Sequence, residues 1–293
     1  MTLTFTVLEI VAPVFFLAAI GFGWVKLGFE YRIMFVTRLS MTLAVPCLIF
    51  VALVNSQLDP AAITAVTIAS FAAYAGVTFA VFLLVWGLKL NRQTFVAPLI
   101  FGNTGNLGLP LALFAFGDVG LEYAVVVFAV MAILSFTFGI WLVAGSGSIG
   151  KVLQEPLVWA TVLGGVFLWQ DWSLPGFIVN TLDLIGQMAI PLMLITLGVA
   201  VARLSAGGFG MAVLLSAMKL VLCVGIAWIA ADFFGLDNVA TGILVLQVAT
   251  PVAVTSYMLA EKYGADAESV AGLVVVSTVM SIGALPLLLA VLL

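Results

Sequence analysis

The sequence predicts an all-α membrane protein with ten transmembrane helices, arranged as two inverted repeats of five, in which helices 4 and 9 are broken. Three observations predict this fold: the composition, the distribution of basic residues among the loops, and a pattern that recurs in both halves. Hydrophobic residues make up 65% of the 293 residues and charged residues 8%, with a mean hydropathy of +1.35. Because soluble chains carry about 25% charged residues, we expect this chain to lie in a lipid bilayer.

The composition also excludes several kinds of function. A net charge of −4 without a basic tract argues against a nucleic-acid partner. Cys47 and Cys223 fall within apolar runs, so neither a disulfide framework nor a zinc site is indicated. The chain has no histidine, which removes histidine-based nucleophiles, metal ligands and proton relays. The first apolar run follows Glu9 and ends at Lys26, the reverse of a signal peptide, so we expect it to be retained as a span.

Ten spans fit the chain, because a membrane helix needs about 20 apolar residues and the connections are short. The apolar runs place the spans, to within several residues, at 10–28, 35–54, 62–88, 95–116, 122–144, 153–169, 175–202, 210–233, 239–262 and 268–292. The first repeat then occupies residues 1–144 and the second residues 153–293.

Basic residues concentrate on one side of the membrane in this arrangement. The odd-numbered connections or their flanks carry Lys26, Arg32, Arg38, Lys89, Arg92, Lys151, Arg203 and Lys262. The even-numbered connections have no Lys or Arg and carry Asp59, Asp118, Asp171, Asp232 and Asp237. By the positive-inside rule we expect the odd connections in the cytoplasm and both termini outside.

A recurring pattern indicates a duplication. Residues 43–49 (LAVPCLI) of the second span resemble residues 188–194 (MAIPLML) of the seventh, at an offset of 145. Phe116-Gly117 likewise matches Tyr263-Gly264 at an offset of 147. An odd number of spans in each half would give the two halves opposite orientations. Such patterns are also common in apolar chains, and chance is the alternative interpretation.

Residues 101–110 (FGNTGNLGLP) in the fourth span cannot continue as a regular helix. Pro110 and three glycines weaken it, and the amides of Asn103 and Asn106 would face a bilayer interior without water. The glycines are Gly102, Gly105 and Gly108. The motif therefore indicates a helix whose break lines a site. The alternative is a glycine-rich face for close packing, with the asparagines bonded to a neighbouring helix.

The ninth span has a counterpart at residues 247–256 (QVATPVAVTS), interrupted by Pro251. Interrupted helices at corresponding positions of two halves point to a transporter's binding site. The half-helices after Thr104 and Pro251 would aim unpaired N–H groups at the break, which suits a carboxylate. Asn103 and Asn106 have amides that can donate and accept. Gln247, Thr250 and Thr255 are the matching polar candidates. The alternative for the hydroxyls is a bond to the carbonyl one turn back.

Two further charges lie inside predicted spans, Lys219 in the eighth and Asp183 in the seventh. In a functional interpretation Lys219 attracts an anionic substrate, and Asp183 takes a proton or helps to hold a cation. The alternatives are an ion pair between the two helices and a lysine that snorkels to the interface.

The chain resembles the auxin efflux carrier family, which includes plant carriers and bacterial permeases assigned to malate or malonate. The resemblance rests on Asn103-Thr104 through Gly108-Leu109-Pro110, on Pro251 followed by residues 260–264 (AEKYG), and on the spans of Pro46 and Pro191. It implies a fold similar to the sodium/bile acid symporters. There, spans 1, 2, 6 and 7 form a scaffold, and spans 3–5 and 8–10 form a moving core. The broken spans 4 and 9 cross at mid-membrane, and an organic anion binds beside the crossing.

Two departures point to the bacterial members. Gly102 stands where plant carriers usually have proline, and the connection at about 145–152 lacks their long loop. The resemblance then implies a secondary transporter of a small carboxylate in a bacterial inner membrane, working by alternating access without a cofactor. Na⁺ and H⁺ are the candidate coupling ions. Because H⁺ coupling without histidine would depend on Asp183, uniport and Na⁺ coupling are the alternatives. It also implies a homodimer through the scaffold, which small residues such as Ala44 and Gly198 would permit; the alternative is that these two residues pack within the monomer.

Three rival functions follow from the same residues. An intramembrane enzyme would need a nucleophile with a base or two embedded acids, and here Asp183 is the one embedded acid. A passive anion channel would need rings of like charge or a wide polar lining, and these spans are apolar. A ligand-binding receptor without transport is the third alternative, and measured flux would distinguish it from a carrier.

Overall fold

The computed structural model describes residues 3–56, 58–144, 156–170, 172–204 and 209–293. All regular secondary structure in these ranges is helical. Seven helical segments are long and apolar enough to cross a membrane: Val7–Lys26, Ile33–Val54, Pro60–Gly87, Thr104–Ala144, Gly176–Arg203, Phe209–Phe233 and Ala267–Leu292. The prediction of an all-α, multi-pass membrane protein is confirmed.

The first half of the chain contains helices α1 (Leu3–Lys26), α2 (Ile33–Leu39), α3 (Val45–Val54), α4 (Pro60–Gly87), α5 (Arg92–Ile100), α6 (Leu109–Leu134) and α7 (Ile140–Ala144). Three π-helical turns accompany them, at Ser40–Ala44, Thr104–Gly108 and Ser135–Gly139. Gly117 has φ 66° and ψ −156°, a conformation that interrupts α6 and favours glycine. The predicted boundary between the fourth and fifth spans falls at this residue.

The second half contains α8 (Pro156–Trp169), α9 (Gly176–Gly186), α10 (Ala189–Arg203), α11 (Phe209–Phe233), α12 (Asn238–Val248), α13 (Val254–Tyr263) and α14 (Ala267–Leu292). Helices α9 and α10 divide the predicted seventh span just before Pro191, and α12 and α13 divide the predicted ninth. The fifth connection with Lys151, the start of the sixth span, and Asp171 lie outside the described residues.

Loop aspartates start several of the helices. Asp59 accepts a hydrogen bond from the Ala61 N–H at α4, and Asp237 accepts one from the Ala240 N–H at α12. Asp266 does the same for Ser269 at the start of α14. An acidic side chain at this position satisfies an N–H group that has no helical partner. The polar connections therefore also set where the apolar helices begin.

The helices pack in two groups, of which the first contains α1–α3 and α8–α10. Helix α1 runs along α10, and a side-chain carbon added at Gly21 or Gly198 would strike the backbone of Ile195 or Ala18. Gly198 and the fully buried Ala44 are thus used for packing within the chain. They are not a surface for a second copy, so the predicted homodimer has no support from these two residues.

The second group contains α4–α7 and α11–α14, with α4 packed against α5, α6 and α11. At one end Gln93 donates to the carbonyl oxygens of Val143, at 2.7 Å, and Tyr263, at 3.4 Å. The Asp266 N–H donates to the Thr94 hydroxyl at 3.3 Å. These bonds join the ends of α5, α7, α13 and α14 into one body.

Candidate functional site

The first break separates α5 from the π-helical turn at Thr104–Gly108. Phe101 has an extended conformation, with φ −93° and ψ 114°, and Asn103 has φ −83° and ψ 53°. The carbonyl of Asn103 accepts from the N–H groups of Leu107 and Gly108, at 3.1 and 3.2 Å. Regular helix thus ends at Ile100, and the chain resumes as a helix with Pro110 in the first turn of α6.

The second break lies between Val248 and Val254 and is centred on Pro251, which has no N–H to donate. The Thr250 hydroxyl donates to the carbonyl of Gln247 at 2.7 Å. Of the two interpretations of Thr250, the local bond to the preceding turn is therefore the one observed.

The two breaks meet. Gly102 and Val252 form an antiparallel backbone bridge, and the Asn103 N–H donates to the Pro251 carbonyl at 2.7 Å. A side-chain carbon at Gly102 would strike the Thr250 hydroxyl and lie 2.8 Å from the Thr250 carbonyl oxygen. Close approach of the two backbones therefore requires glycine at residue 102.

Two other glycines of the motif make room for side chains. A carbon added at Gly108 would strike the Gln247 amide, and one added at Gly105 would lie 3.2 Å from the ring of Phe128. The close-packing interpretation therefore also holds for part of the motif. The same ten residues serve both packing and the break.

Buried polar atoms concentrate where the breaks meet. Among the described residues, nine buried side-chain N or O atoms lack a hydrogen-bond partner, and five of them belong to the predicted site. The five are Asn103 Nδ2, Thr104 Oγ1, Asn106 Oδ1, Gln247 Nε2 and Gln247 Oε1. Thr104 and Gln247 are 0% exposed and Asn103 is 5% exposed. Buried polar groups are normally paired, so this cluster is typical of a site that binds a polar ligand or water.

The site lies between the two groups of helices. Helix α10 packs against the π-helical turn that carries Thr104 and Asn106, and Asn106 is partly exposed. The turn that carries these two residues thus contacts a helix of the first group. A ligand bound here would contact both groups.

Lys219 is 2% exposed and lies beside the second break. Its Nζ donates to the Thr250 carbonyl at 2.8 Å and approaches Cys223 Sγ at 3.8 Å. The lysine is buried, so it does not snorkel.

Asp183 lies elsewhere, exposed on α9, where it accepts from Gln187 Nε2 at 2.8 Å. The alternative in which Asp183 pairs with Lys219 is wrong. Within the described residues the ion pair found is Arg32–Glu30. Lys219 and Asp183 were expected at similar depth in antiparallel helices, but each has a different partner.

Thr255 is also outside the cluster. It is exposed on the first turn of α13, while the neighbouring Ser256 is buried. Thr255 is close to the break in the chain, as its spacing from Pro251 indicates, but its side chain lies on the exposed face of the half-helix.

A small cavity that the sequence did not predict lies behind the second break. Its volume of about 20 Å³ gives room for about one water molecule. It is lined by Lys219, by three serines and by residues 249–251, and its remaining lining is apolar. The serines are Ser216, Ser277 and Ser281, and the apolar residues are Leu220, Met280, Ala284 and Leu285. Ser277 Oγ accepts from the Val252 N–H at 3.0 Å, replacing a bond that the break removes. The spacing of Ser216 and Lys219, and of Ser277 and Ser281, places each pair on one helix face, and this was the signal available.

Comparison with known proteins gives the family. The model described as "Membrane transport protein" matches residues 6–155 and 147–289. The chain belongs to this family. The resemblance to the auxin efflux carriers, which are members, is thereby confirmed.

Two relatives agree with the family. An "Uncharacterized transporter" of Methanothermobacter thermautotrophicus is 28% identical over 268 residues, which cover 85% of this chain and 86% of the relative. A protein of Rhizobium meliloti that carries the name "Putative malonate transporter" is 24% identical over 234 residues, covering 71% and 72%. The family and these names indicate a membrane transporter rather than an enzyme.

Proposed function

We propose that the protein is a secondary transporter that moves a small organic anion, a carboxylate, across the membrane by alternating access. The observation that carries the proposal is the meeting of two helix breaks inside the protein, with five buried polar atoms that have no partner. A carboxylate oxygen would accept bonds from the amides of Asn103 and Gln247 and from the Thr104 hydroxyl.

The backbone adds positive potential to the same place. The first N–H groups of a helix have no partner within it and carry a partial positive charge of about +0.5. The half-helices that begin after Asn103 and at Val254 both start at the site. The buried Lys219, bonded to Thr250, contributes a full charge behind them. An anion would be favoured on electrostatic grounds alone.

We propose ten crossings in two inverted repeats, with α1–α3 and α8–α10 as the scaffold. The segment Thr104–Ala144 has 41 residues, about twice what one crossing needs, and Gly117 interrupts it. The packing also repeats: α1 lies along α10, and α8 lies along α3. Gly164 packs on Leu53. At the 145-residue offset Leu53 corresponds to Gly198, and Gly164 corresponds to residue 19. The observed contact of Gly198 with Ala18 is therefore one residue from the equivalent pair.

The proposed motion is a displacement of the second helix group against the scaffold. The bonds of Gln93 and Thr94 favour movement of that group as one body. The ligand site at its surface, opposite α10, would then be exposed to each side of the membrane in turn.

The name of the Rhizobium meliloti relative makes malonate the first substrate to test. Thermal unfolding of the purified protein would be followed with malonate, malate, succinate, lactate and indole-3-acetate. A ligand at a hundredfold excess over its Kd stabilises the folded state by about 2.7 kcal/mol. We expect one of these acids to raise the Tm of the parent and to lose that effect in Asn103→Ala and Gln247→Ala.

Thr255→Ala is the matched control, because Thr255 lies near the break but outside the polar cluster. It should respond to the acid as the parent does. Uptake of the same labelled acid into proteoliposomes should saturate, which separates a carrier from a channel. Binding without uptake would favour a receptor, and an unchanged response in Asn103→Ala would contradict the proposed site.

A further inference from the structure

We propose that the ammonium group of Lys219 takes the place of a coupling cation at the second break, so that this transporter works without Na⁺. The inference rests on the proposed transport function, because it concerns how that site is charged. It is argued from four features of the structure around Lys219.

The first feature is a buried charge without a carboxylate. Lys219 is 2% exposed, and within the described residues no aspartate or glutamate lies within 4.0 Å of its Nζ. A charge inside a membrane protein is costly, about 2.5–3.5 kcal/mol on insertion scales, and normally has a partner or a function. Here the good acceptor is a neutral backbone oxygen, the Thr250 carbonyl at 2.8 Å.

The second feature is the origin of that oxygen. In a continuous helix the Thr250 carbonyl would accept from the N–H of residue 254, but α12 ends at Val248 and α13 begins at Val254. The break has freed the carbonyl. Carbonyl oxygens freed at helix breaks are the groups that coordinate Na⁺ in transporters with discontinuous helices. Lys219 therefore occupies a position that a metal cation would otherwise suit.

The third feature is the cavity beside the ammonium, whose lining mixes serine hydroxyls with apolar side chains. Ser216, Ser277 and Ser281 contribute hydroxyls to it. Ser277 and Ser281 donate their protons to the carbonyls of Val274 and Thr278. Ser281 Oγ keeps its lone pairs, and Ser277 Oγ keeps one beside the bond that it accepts from the Val252 N–H. Ser216 Oγ is buried and has no partner. Hard cations prefer such oxygen ligands, so removal of the ammonium would leave a cavity suited to Na⁺.

The fourth feature is the contrast with the first half of the chain. At the 145-residue offset Lys219 corresponds to Tyr74, which is 1% exposed and stacks on Phe101, the residue that begins the first break. Both helices thus present a large buried side chain to a break. Only the second-half residue carries a charge, so the cation position belongs to one break.

The test compares the parent with Lys219→Ser and Lys219→Met by thermal unfolding in NaCl and in N-methyl-D-glucamine chloride at equal ionic strength, without any carboxylate. Serine opens the cavity and adds an oxygen, whereas methionine removes the charge but keeps the volume filled. We expect Na⁺ to leave the parent and Lys219→Met unchanged. It should raise the Tm of Lys219→Ser by about 3 °C at a tenfold excess over its Kd. Adding Ser216→Ala to Lys219→Ser should reduce that shift.

The parent alone can overturn the proposal. A Tm of the parent that rises specifically with Na⁺, or proteoliposome uptake by the parent that requires Na⁺, would show that the cation position is elsewhere. A folded, monodisperse Lys219→Ser without a Na⁺ response would do the same. The Tm readout contains no carboxylate, so its failure is distinct from failure of the substrate assignment.

Discussion

At residue 102 the contact between the two breaks depends on the absence of one carbon atom. Its neighbours Phe101 and Asn103 both have negative φ angles, and Phe101 is extended. The backbone of Gly102 lies against the hydroxyl and the carbonyl of Thr250. The Asn103 N–H can reach the Pro251 carbonyl because this approach is so close. The residue that helix propensity marks as a weak point is therefore the one that brings the two halves of the site together.

Gly102→Ala should separate the breaks. A methyl group at 2.8 Å from a backbone oxygen forces the backbone to move, and we expect a loss of about 1–3 kcal/mol in stability, with weaker ligand binding. Gly225→Ala is the control. Gly225 lies inside α11, and a side-chain carbon added there would meet no atom within 4 Å. The Tm of both variants, with and without malonate, checks this. Equal Tm values for the two variants would contradict the steric argument.

Single residues also show what the sequence could predict. Asn103, Thr104 and Gln247 were identifiable because polar groups inside an apolar span need a partner. Thr255 could not be excluded, since the face of a half-helix that begins at a break is set by tertiary contacts. The partner of Lys219 could not be foreseen either, because a backbone carbonyl leaves no mark in a pattern of side chains.

At the scale of the helix, start positions follow local chemistry closely. Asp266 begins α14 by accepting from the Ser269 N–H at 3.0 Å and from the Ser269 hydroxyl at 2.6 Å. These hydrogen bonds, of which the one from the hydroxyl acts most strongly, lower the pKa of Asp266 below its ordinary value of 3.8. Capping residues therefore mark where these helices begin, whereas Met188 and Gly117 interrupt the helix inside predicted spans.

Asp266→Ala should lower stability by about 0.5–1 kcal/mol through loss of the cap. Because the folded-state pKa is the lower one, the stability from ionised Asp266 is fully present above the unfolded value of 3.8 and is lost as the pH falls through the folded value. The side chain is largely exposed, so the effect is modest. Thermal unfolding of the parent, Asp266→Ala and Asp266→Asn between pH 7 and pH 3 measures it. Asparagine keeps the cap, and its difference from the parent should shrink at the acidic end; a constant difference would argue against the linkage.

At the scale of the whole molecule, the helical, multi-pass character followed from composition, and the family followed from the motifs around Asn103 and Pro251. The division into two helix groups did not follow from composition, because apolar helices carry little information about which neighbour they contact. The glycines at positions 164 and 198 provide that information, but only once the opposing backbone is known. The proposed orientation depends on loop charge alone.

Cysteine labelling tests that orientation. In a Cys47→Ala background, Asn238→Cys should react with a membrane-impermeant maleimide in intact cells. Arg92→Cys should react only after the membrane is permeabilised. Both residues are exposed, but Asn238 lies in a connection predicted outside and Arg92 in one predicted in the cytoplasm. Cys223 is buried and serves as the internal control. Labelling of both positions from the same side would exclude the ten-span topology.

The fixed charge on Lys219 has an electrical consequence. If the second helix group carries Lys219 with it, the empty carrier moves one positive charge, a bound monoanion cancels that charge, and a bound dianion leaves one negative charge. Each elementary charge that crosses the full field gains or loses about 2.3 kcal/mol per 100 mV. In a cell that is negative inside, the membrane voltage would therefore draw the empty carrier inward and drive the dianion-loaded carrier outward, so that one lysine biases the cycle toward export of dicarboxylates.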